Sequence, residues 1–284
     1  MSGRHVALHR SDPGADLNVA AYYTEKTARI IRKFGPGPRV HFHSGLCSRP
    51  ARRHANAEAL RAVMHEGQER LVQHITRAAL GDRILDVGCG LGGAAIHCAE
   101  RGKTVTAITI VREHIPIIEQ FTQLAGVGHR VTALHRDAHD LRGLGTFDAV
   151  LAVESSCYFD RARWFHELGH VLSPGGDVHV VDCFAADRAT VIRFDAYWRT
   201  SIGNTASYDA AAKAAGFRRI SIEDLGERTR AFWNASIRWS QIHRIGATLA
   251  EEERLRKSIL EHRWLRDAIL NGYVTYRHLV FRRK

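Results

Sequence analysis

The ten residues at positions 84–93, ILDVGCGLGG, decide the fold. An apolar run that includes Asp86 leads into three glycines spaced two residues apart, Gly88, Gly90 and Gly92, and a helix-forming stretch follows. Glycine lets the backbone approach a ligand closely at the carboxyl edge of an open α/β sheet. A bare GxGxxG is shared with NAD and FAD sites, but here an acidic residue stands two positions before the first glycine. The run therefore predicts a strand, a ligand-binding turn and a helix.

Strands and helices alternate from this run onward. The sequence predicts strands at 83–87, 104–109, 131–135, 149–153 and 177–183, with helices at 94–101, 113–125 and 161–171 between them. Such alternation is typical of parallel strands joined by right-handed crossovers, with helices on both faces. The last part predicts a helix at 208–215, a strand at 218–225, one helical stretch at 231–270 and a strand at 273–282. The expected fold class is α/β, a Rossmann-like, seven-stranded and mostly parallel sheet.

Three regions are expected along the chain. Residues 1–16 are polar and rich in turn formers, which predicts a disordered tail. Residues 17–80 predict an N-terminal helical extension with helices at 18–34 and 56–79 and an extended piece at 40–43. Helices that precede the first strand must cover a sheet edge or the ligand crevice, so a lid is expected there. Residues 81–284 are expected to form the catalytic domain.

Composition narrows the function classes. The 284 residues are 45% hydrophobic and 25% charged, and the net charge is +11. A basic surface favours an anionic partner, although a solvated surface explains it equally well. No basic run predicts nucleic-acid binding, and no apolar run predicts a membrane span or signal peptide. Five scattered cysteines predict neither disulfides nor zinc. A cytoplasmic enzyme for a small anionic molecule is expected, and a homo-oligomer is left open.

Residues 84–93 resemble motif I of class I S-adenosylmethionine-dependent methyltransferases. The resemblance implies the Rossmann-like fold of that class. It also implies that the cofactor is S-adenosyl-L-methionine. It implies that the loop of Gly88, Gly90 and Gly92 adjoins the methionine part of the cofactor and that Asp86 orders the loop.

The ends of the second and third strands complete the expected cofactor site. Thr109 and Ile110 stand where many such sites have an acidic residue for the ribose hydroxyls. The threonine resembles the branch of cyclopropane-fatty-acid synthases, sterol methyltransferases and prenyl diphosphate methyltransferases, but His114 replaces that branch's glutamine. Asp137 and Ala138 match the position that reaches the adenine amine, and a turn or cap aspartate is the alternative.

Glu154 directly follows the apolar fourth strand, which predicts a carboxylate at the crevice that faces the methyl acceptor. Three short segments resemble geranyl, farnesyl and isopentenyl diphosphate C-methyltransferases: HFHSGL at 41–46, ESSCY at 154–158 and GYVTY at 272–276. The family reaction methylates an alkene carbon, leaves a tertiary carbocation and then removes a proton.

This resemblance implies roles for further residues. Glu154 is the candidate base and Trp198 the aromatic residue that faces the cation. His41, His43 and arginines of the N-terminal segment are candidates for holding the diphosphate, whose Mg²⁺ would be held by the diphosphate itself. Core packing is the alternative for Trp198, and a surface or core position is the alternative for the two histidines. The expected catalytic residues are Glu154, Trp198 and Tyr158, and the expected substrate residues are Tyr23, His41, His43, Ser44, Trp233 and Tyr273.

Other functions remain open at this stage. One is a methyltransferase for another natural-product acceptor, such as a terpenoid or indole side chain, a phenol or an amine. An RNA methyltransferase has only the charge in its favour, because the fourth strand ends in Glu-Ser-Ser-Cys and not in an Asn-Pro-Pro-Tyr motif. A binding module without catalysis has no positive sign in the sequence.

Overall fold

A computed structural model describes residues 14–77 and 81–284, with the backbone alone for residues 14–18. The expected disordered tail at 1–16 falls mostly outside the described residues. Its last positions, 14–16, are described and already belong to the first helix, α1, which spans Gly14–Phe34. Helix α1 thus begins four residues before the expected Asn18.

The helices are α1 Gly14–Phe34, α2 Ala57–Ile75, α3 Gly93–Ala99, α4 His114–Leu124, α5 Arg161–Val171, α6 Arg188–Trp198, α7 Thr205–Ala214, α8 Arg230–Arg244 and α9 Leu249–Leu270. The strands are β1 Arg83–Val87, β2 Thr104–Thr109, β3 Val131–His135, β4 Phe147–Val153, β5 Leu172–Phe184, β6 Phe217–Asp224 and β7 Thr275–Arg283. Within the described residues, no helix is long and apolar enough to cross a membrane.

The seven strands form one sheet in the order β3-β2-β1-β4-β5-β7-β6. Strands β1 to β5 run parallel, and β7 is antiparallel to both β5 and β6. This confirms the Rossmann-like, mostly parallel sheet. The strand order reverses between β1 and β4, so the turns after these two strands open side by side at the carboxyl edge. Open α/β sheets bind their ligands at such a switch point.

Both faces of the sheet are buried, as the continuous apolar runs predict. Neighbouring residues of β1 show this, because Ile84 and Leu85 are both fully buried but belong to different core clusters. The first cluster includes side chains of α1, α2, α3, α8 and α9, and the second includes side chains of α5 and α7. The N-terminal helices therefore share one face of the sheet with the C-terminal helices.

The expected helical stretch at 231–270 is wrong as one element, because it is two helices. The chain breaks after Arg244 at Gly246, whose φ of +76° lies outside helical backbone. Thr248 then caps α9, with its hydroxyl oxygen accepting from the Glu251 amide at 3.3 Å. The residues on both sides of this break fit a helical pattern, so hydrophobic periodicity alone predicted one continuous helix.

Two further segments differ from the sequence prediction. Residues 40–43 are irregular and form no strand. Helix α6 was not predicted, although Asp187 caps it by accepting from the Thr190 amide at 2.9 Å. Because α6 ends at Trp198, it carries one of the candidate catalytic residues to the carboxyl edge.

Candidate active site

The glycine turn after β1 has room for a ligand beside it. Gly88, Gly90 and Gly92 have φ values of +72°, +57° and +82°, a region that glycine enters without strain. A Cβ atom at Gly88 would collide with the Ser155 Cβ at 2.5 Å, whereas one at Gly90 would meet nothing within 4 Å. Gly90 therefore borders open space, and a ligand can approach its backbone closely.

Asp86 adds an unsatisfied acceptor next to this turn. Its side chain is 2% exposed, and its Oδ2 has no hydrogen-bond partner in the described protein. Burial raises the pKa of its carboxyl to about 7. A buried oxygen without a partner is costly. The arrangement fits a ligand that brings an N–H donor or a positive charge to the turn, as the ammonium group of S-adenosylmethionine does.

The residues at and after the end of β2 that are expected to contact the cofactor make hydrogen bonds within the protein. The Thr109 hydroxyl accepts from the Val111 amide at 3.1 Å and so holds its own turn, which begins at Ile110. His114 Nε2 lies 3.0 Å from the Thr27 hydroxyl of α1. Burial lowers the pKa of His114 to about 4, so its ring is neutral at pH 7. His114 thus joins α4 to α1.

Asp137 lies at the end of β3 and makes the turn contacts that were the alternative to adenine binding. Its Oδ1 accepts from the His139 amide at 2.7 Å and also lies 2.7 Å from His139 Nδ1. The Asp137 side chain nevertheless remains 45% exposed at the carboxyl edge, next to the buried Ala138. In this geometry Asp137 can stabilise its own turn and still contact a ligand.

Glu154 is held in an unusual backbone conformation directly after β4. Its φ of +49° is rare for a residue with a side chain, and such strain clusters at functional sites. Its amide donates to the Val181 carbonyl at 2.7 Å, and its Oε1 accepts from the Ser44 amide at 2.6 Å. Burial raises the pKa of its carboxyl to about 7 against the lowering effect of the Ser44 and Tyr276 groups.

Glu154 faces a cavity of about 450 Å³ with largely aromatic walls. Trp198 stacks on His262 with ring centroids 5.8 Å apart and meets Trp233 edge to face at 6.4 Å. The Tyr158 hydroxyl donates to the Trp198 carbonyl at 3.1 Å and lies 2.8 Å from the Tyr23 hydroxyl. Residues from α1, α6, α8 and α9 thereby enclose the space in front of β4.

Positive side chains gather on one side of this cavity. The Lys26 ammonium lies 3.7 Å from the Tyr22 ring centroid, and the Arg199 guanidinium lies 4.4 Å from the same centroid. Burial, followed by the charges of Arg29 and Arg199, lowers the pKa of Lys26 to about 7. All four residues line the cavity. We call Lys26, Arg29 and Arg199 the cationic cluster. Glu25 offsets part of its charge through a 3.2 Å ion pair with Arg29, and a bound anion would offset more of the repulsion.

Most of the predicted substrate and catalytic residues meet at the cavity. Its lining includes Glu154, Trp198, Tyr158, Tyr23, His43, Ser44 and Trp233. Tyr273 does not belong to it, because that side chain is 63% exposed. Tyr276, three residues later on β7, is fully buried and lowers the pKa of Glu154, but its hydroxyl makes no hydrogen bond within the described residues.

His41 and His43 form an internal chain of contacts. His41 Nε2 lies 2.7 Å from Glu69 Oε1, His41 Nδ1 lies 3.2 Å from His43 Nε2, and His43 Nδ1 lies 2.7 Å from the Ser44 carbonyl. Burial lowers the pKa of His43 to about 3, so the ring carries no charge at pH 7. All four ring nitrogens of this pair already face protein groups, and of the two residues His43 lines the cavity and His41 does not.

The cationic cluster was only partly foreseen, through the arginines of the N-terminal segment. A usable signal was present, since Tyr22, Lys26, Arg29 and Lys33 recur at helical spacing along α1. Arg199 gave no such signal, because its position beside Tyr22 depends on how α6 packs against α1.

The chain matches the family described as a methyltransferase domain over residues 84–176, which covers the glycine turn and extends into β5. It is 30% identical to methyltransferase phqN of Penicillium fellutanum over 56% of this chain and 53% of that protein. It is 26% identical to O-methyltransferase cnsE of Penicillium expansum over 80% of this chain and 81% of that protein.

Among solved structures, the fold is similar to that of geranyl diphosphate C-methyltransferase from Streptomyces coelicolor A3(2), solved with Mg²⁺, geranyl diphosphate and S-adenosyl-L-homocysteine. The TM-score is 0.78 at 18% identity, over 96% of this chain and 99% of that one. This likeness extends beyond the sheet to the helices that enclose the cavity. Because the domain match includes the glycine turn, residues 84–176 form a methyltransferase domain, and the named relatives support a class I S-adenosylmethionine-dependent methyltransferase.

Proposed function

We propose that this methyltransferase transfers a methyl group to an alkene carbon of a prenyl diphosphate. The observation that carries the proposal is that Glu154 and the cationic cluster line the same aromatic cavity. Such a cavity offers the three things this reaction needs, namely a site for the diphosphate, aromatic faces for a carbocation and a base.

S-adenosylmethionine fits the turn after β1, where it supplies an electrophilic methyl group. In this proposal Asp86 accepts from its ammonium group and the backbone of Gly88, Gly90 and Gly92 borders its amino-acid part. In the same proposal, residues at and after the ends of β2 and β3 would border the ribose and adenine: Thr109, Ile110, His114, Asp137 and Ala138. Asp86 Oδ2, buried without a partner, supports the first of these contacts.

The cationic cluster would hold the diphosphate at the α1 side of the cavity. Lys26 is partly buried, and its lowered pKa reflects the burial and the neighbouring positive charges. A diphosphate brings negative charge to these groups and makes charge-assisted hydrogen bonds with them. Mg²⁺ would be held by the diphosphate oxygens. In the described part of the chain, neither of the two clusters of possible metal ligands lines this cavity.

The far side of the cavity would manage the charge that develops on the substrate. The faces of Trp198 and Trp233 stabilise a carbocation by cation–π attraction. The Glu154 carboxylate then takes a proton from a carbon next to the cationic carbon, and the C–H electrons form the new double bond. A base with a pKa of about 7 is well matched to this step at neutral pH. The Ser44 amide orients the carboxylate through its 2.6 Å contact.

The test uses methyl-labelled S-adenosylmethionine with Mg²⁺ and either isopentenyl, geranyl or farnesyl diphosphate, and geraniol as the matched alcohol. Label should appear on carbon in a diphosphate-dependent manner. Lys26→Gln removes one cation of the cluster, and loss of one charged hydrogen bond should raise KM for the diphosphate about 10- to 100-fold. Lys213→Gln, on the exposed end of α7, is the control and should leave KM unchanged.

Equal turnover of geraniol and geranyl diphosphate in excess chelator would contradict the proposal. Label on oxygen or nitrogen of a phenol, an amine or a terpenoid or indole compound, with none on a prenyl diphosphate, would assign the cavity to another acceptor. These other acceptors are included in the test because one relative is named as an O-methyltransferase.

A further inference from the structure

A cluster of side chains that could hold a metal ion lies away from the cavity, where the last turn of α2 meets β6 and β7. One donor atom from each of His74, Glu223 and His278 lies within 4.8 Å of the other two. His74 Nε2 is already 2.7 Å from Glu223 Oε2. None of the three residues lines the cavity described above.

Three separate elements bring these side chains together. His74 comes from the last turn of α2, while Glu223 and His278 are direct cross-strand partners in the β6–β7 pair. Direct partners point to the same face of a sheet, with Cβ atoms about 5 Å apart. The distance between Glu223 and His278 is thus set by the register of the two strands and does not depend on a flexible loop.

Neighbouring groups hold the donors in place. His179 Nδ1 lies 3.1 Å from His278 Nε2, and the two rings stack with centroids 5.3 Å apart. The guanidinium of Arg228 lies 3.3 Å from Glu223 Oε1, the oxygen that does not contact His74. A second contact that orients a ligand ring or carboxylate is a regular feature of metal sites.

The buried histidines are difficult to explain as core packing. His278 is 8% exposed and His179 is 2% exposed, and a buried Nδ1 of His74 and a buried Nε2 of His179 have no hydrogen-bond partner.

We propose that His74, Glu223 and His278 bind a first-row transition metal ion of the Zn²⁺ type. Two imidazole nitrogens and one carboxylate oxygen suit Zn²⁺ and do not suit Mg²⁺, which takes oxygen ligands. Ligand atoms about 2.1 Å from zinc lie about 3.4 Å apart in a tetrahedron. The His74 Nε2–Glu223 Oε2 pair, now 2.7 Å apart, would open by about 0.7 Å, and the other pairs would close by at most about 1.4 Å. The Glu223 side chain is 43% exposed, which leaves a path for the ion and a place for a water ligand.

The metal would tie α2 to the antiparallel edge of the sheet and stabilise the fold. His278 is two residues beyond Tyr276 on β7, about 7 Å along the strand. The site is therefore separate from Glu154, and its loss should not remove the catalytic groups.

The experiment titrates Zn²⁺ into full-length protein that has first been stripped of metal with a chelator, with calorimetry for stoichiometry and the visible absorption of Co²⁺ for ligand geometry. Wild-type protein should take up one tightly bound ion, and Glu223→Gln and His74→Ala should lose it. A hundredfold excess of Zn²⁺ over Kd should raise the Tm of wild type by about 5 to 10 °C and leave both variants unchanged.

A matched control removes the second histidine cluster, which lies on the surface of α5. His166→Ala with His170→Ala takes away two possible ligands beside Glu167 and should retain the tight ion. The proposal is overturned if stripped wild type shows no tight Zn²⁺, or if the tight ion is lost in this double variant and kept in Glu223→Gln. Glu223→Gln preserves size at a partly exposed position, so a folded variant is expected, and its methyl transfer should equal that of wild type.

Discussion

Glu154 combines three properties that a base in an apolar cavity needs. Its strained backbone at φ +49° turns the carboxyl into the cavity, the Ser44 amide fixes one oxygen, and burial raises its pKa to about 7. None of these properties requires a charged partner, so the carboxylate remains available to a cationic substrate. The backbone strain and the burial of Glu154 therefore both favour its proposed role as a base.

Glu154→Gln keeps the size of the side chain and removes its basicity. Loss of a general base lowers the rate about 10²–10⁴-fold, so kcat should fall by that factor while S-adenosylmethionine affinity stays within about twofold. In wild type the base acts only when deprotonated, so kcat should fall about tenfold per pH unit below about 7. A pH–rate profile measures this limb. Near-wild-type turnover of the variant would move the base to another residue.

Gly90 and Gly102 give a matched test of the cofactor turn. Both have positive φ values, +57° and +84°, and a Cβ atom at either would meet nothing within 4 Å. Alanine should cost each about 1–2 kcal/mol of stability through backbone strain. Only Gly90→Ala should weaken S-adenosylmethionine binding in calorimetry, because only that Cβ enters the space proposed for the cofactor. Equal affinity in both variants would refute the assignment of the turn.

At the scale of elements, α1 has the properties expected of a lid. Its buried side chains among the described residues are Ile30 and Phe34, whereas α2 has seven buried residues, six of them with side chains. Its contacts reach the cavity through the Tyr23–Tyr158 hydroxyl pair and the cofactor side through the Thr27–His114 contact. An element with little buried surface that touches both sites can respond to either ligand. The proposed lid would thus consist of α1, while α2 is a fixed part of the core.

Hydrogen exchange monitored by mass spectrometry tests this division. Amides of α1 should exchange faster than those of α2 in the free protein, and they should slow down when S-adenosylhomocysteine and geranyl diphosphate are added together. The amides of α5, on the opposite face of the sheet, provide the internal control and should not respond. Protection of α1 equal to that of α2 without ligands would make it a fixed wall.

At the scale of the whole molecule, the active site should reduce stability. A buried carboxyl with a raised pKa favours folding at low pH, and this benefit is lost as pH rises from its unfolded value of about 4.3 through its folded value of about 7. Burial also raises the pKa of Asp86 to about 7. These two carboxyls therefore oppose folding at pH 8.

Chemical denaturation of Glu154→Gln should reveal this cost. The variant should be more stable than wild type at pH 8, by at most about 3 kcal/mol, because it no longer has to bury a carboxylate. The difference should shrink steadily as the pH falls toward 4, where both side chains are neutral. A gain that is independent of pH would show that packing, and not ionisation, sets the stability at this position.

The sequence by itself determined the sheet, the cofactor turn and the identity of the candidate base. The bounds of β1, β2, β3 and α5 agree with the prediction residue for residue. These features follow from hydrophobic periodicity and from glycine, which act between residues close in the chain. The resemblance carried by residues 84–93 added the cofactor, since that chemistry also resides in one short segment.

Only the tertiary structure decided how distant residues combine. Ser44 meets Glu154 across 110 positions of sequence, and Arg199 from α6 meets Tyr22 from α1. His41 and His43 are the clearest case, because their spacing looked like a ligand pair and packing turned them into neutral, buried contacts of Glu69 and Ser44. Burial and charge depend on which elements pack together, and that packing follows from the energy of the whole fold, not from any local pattern.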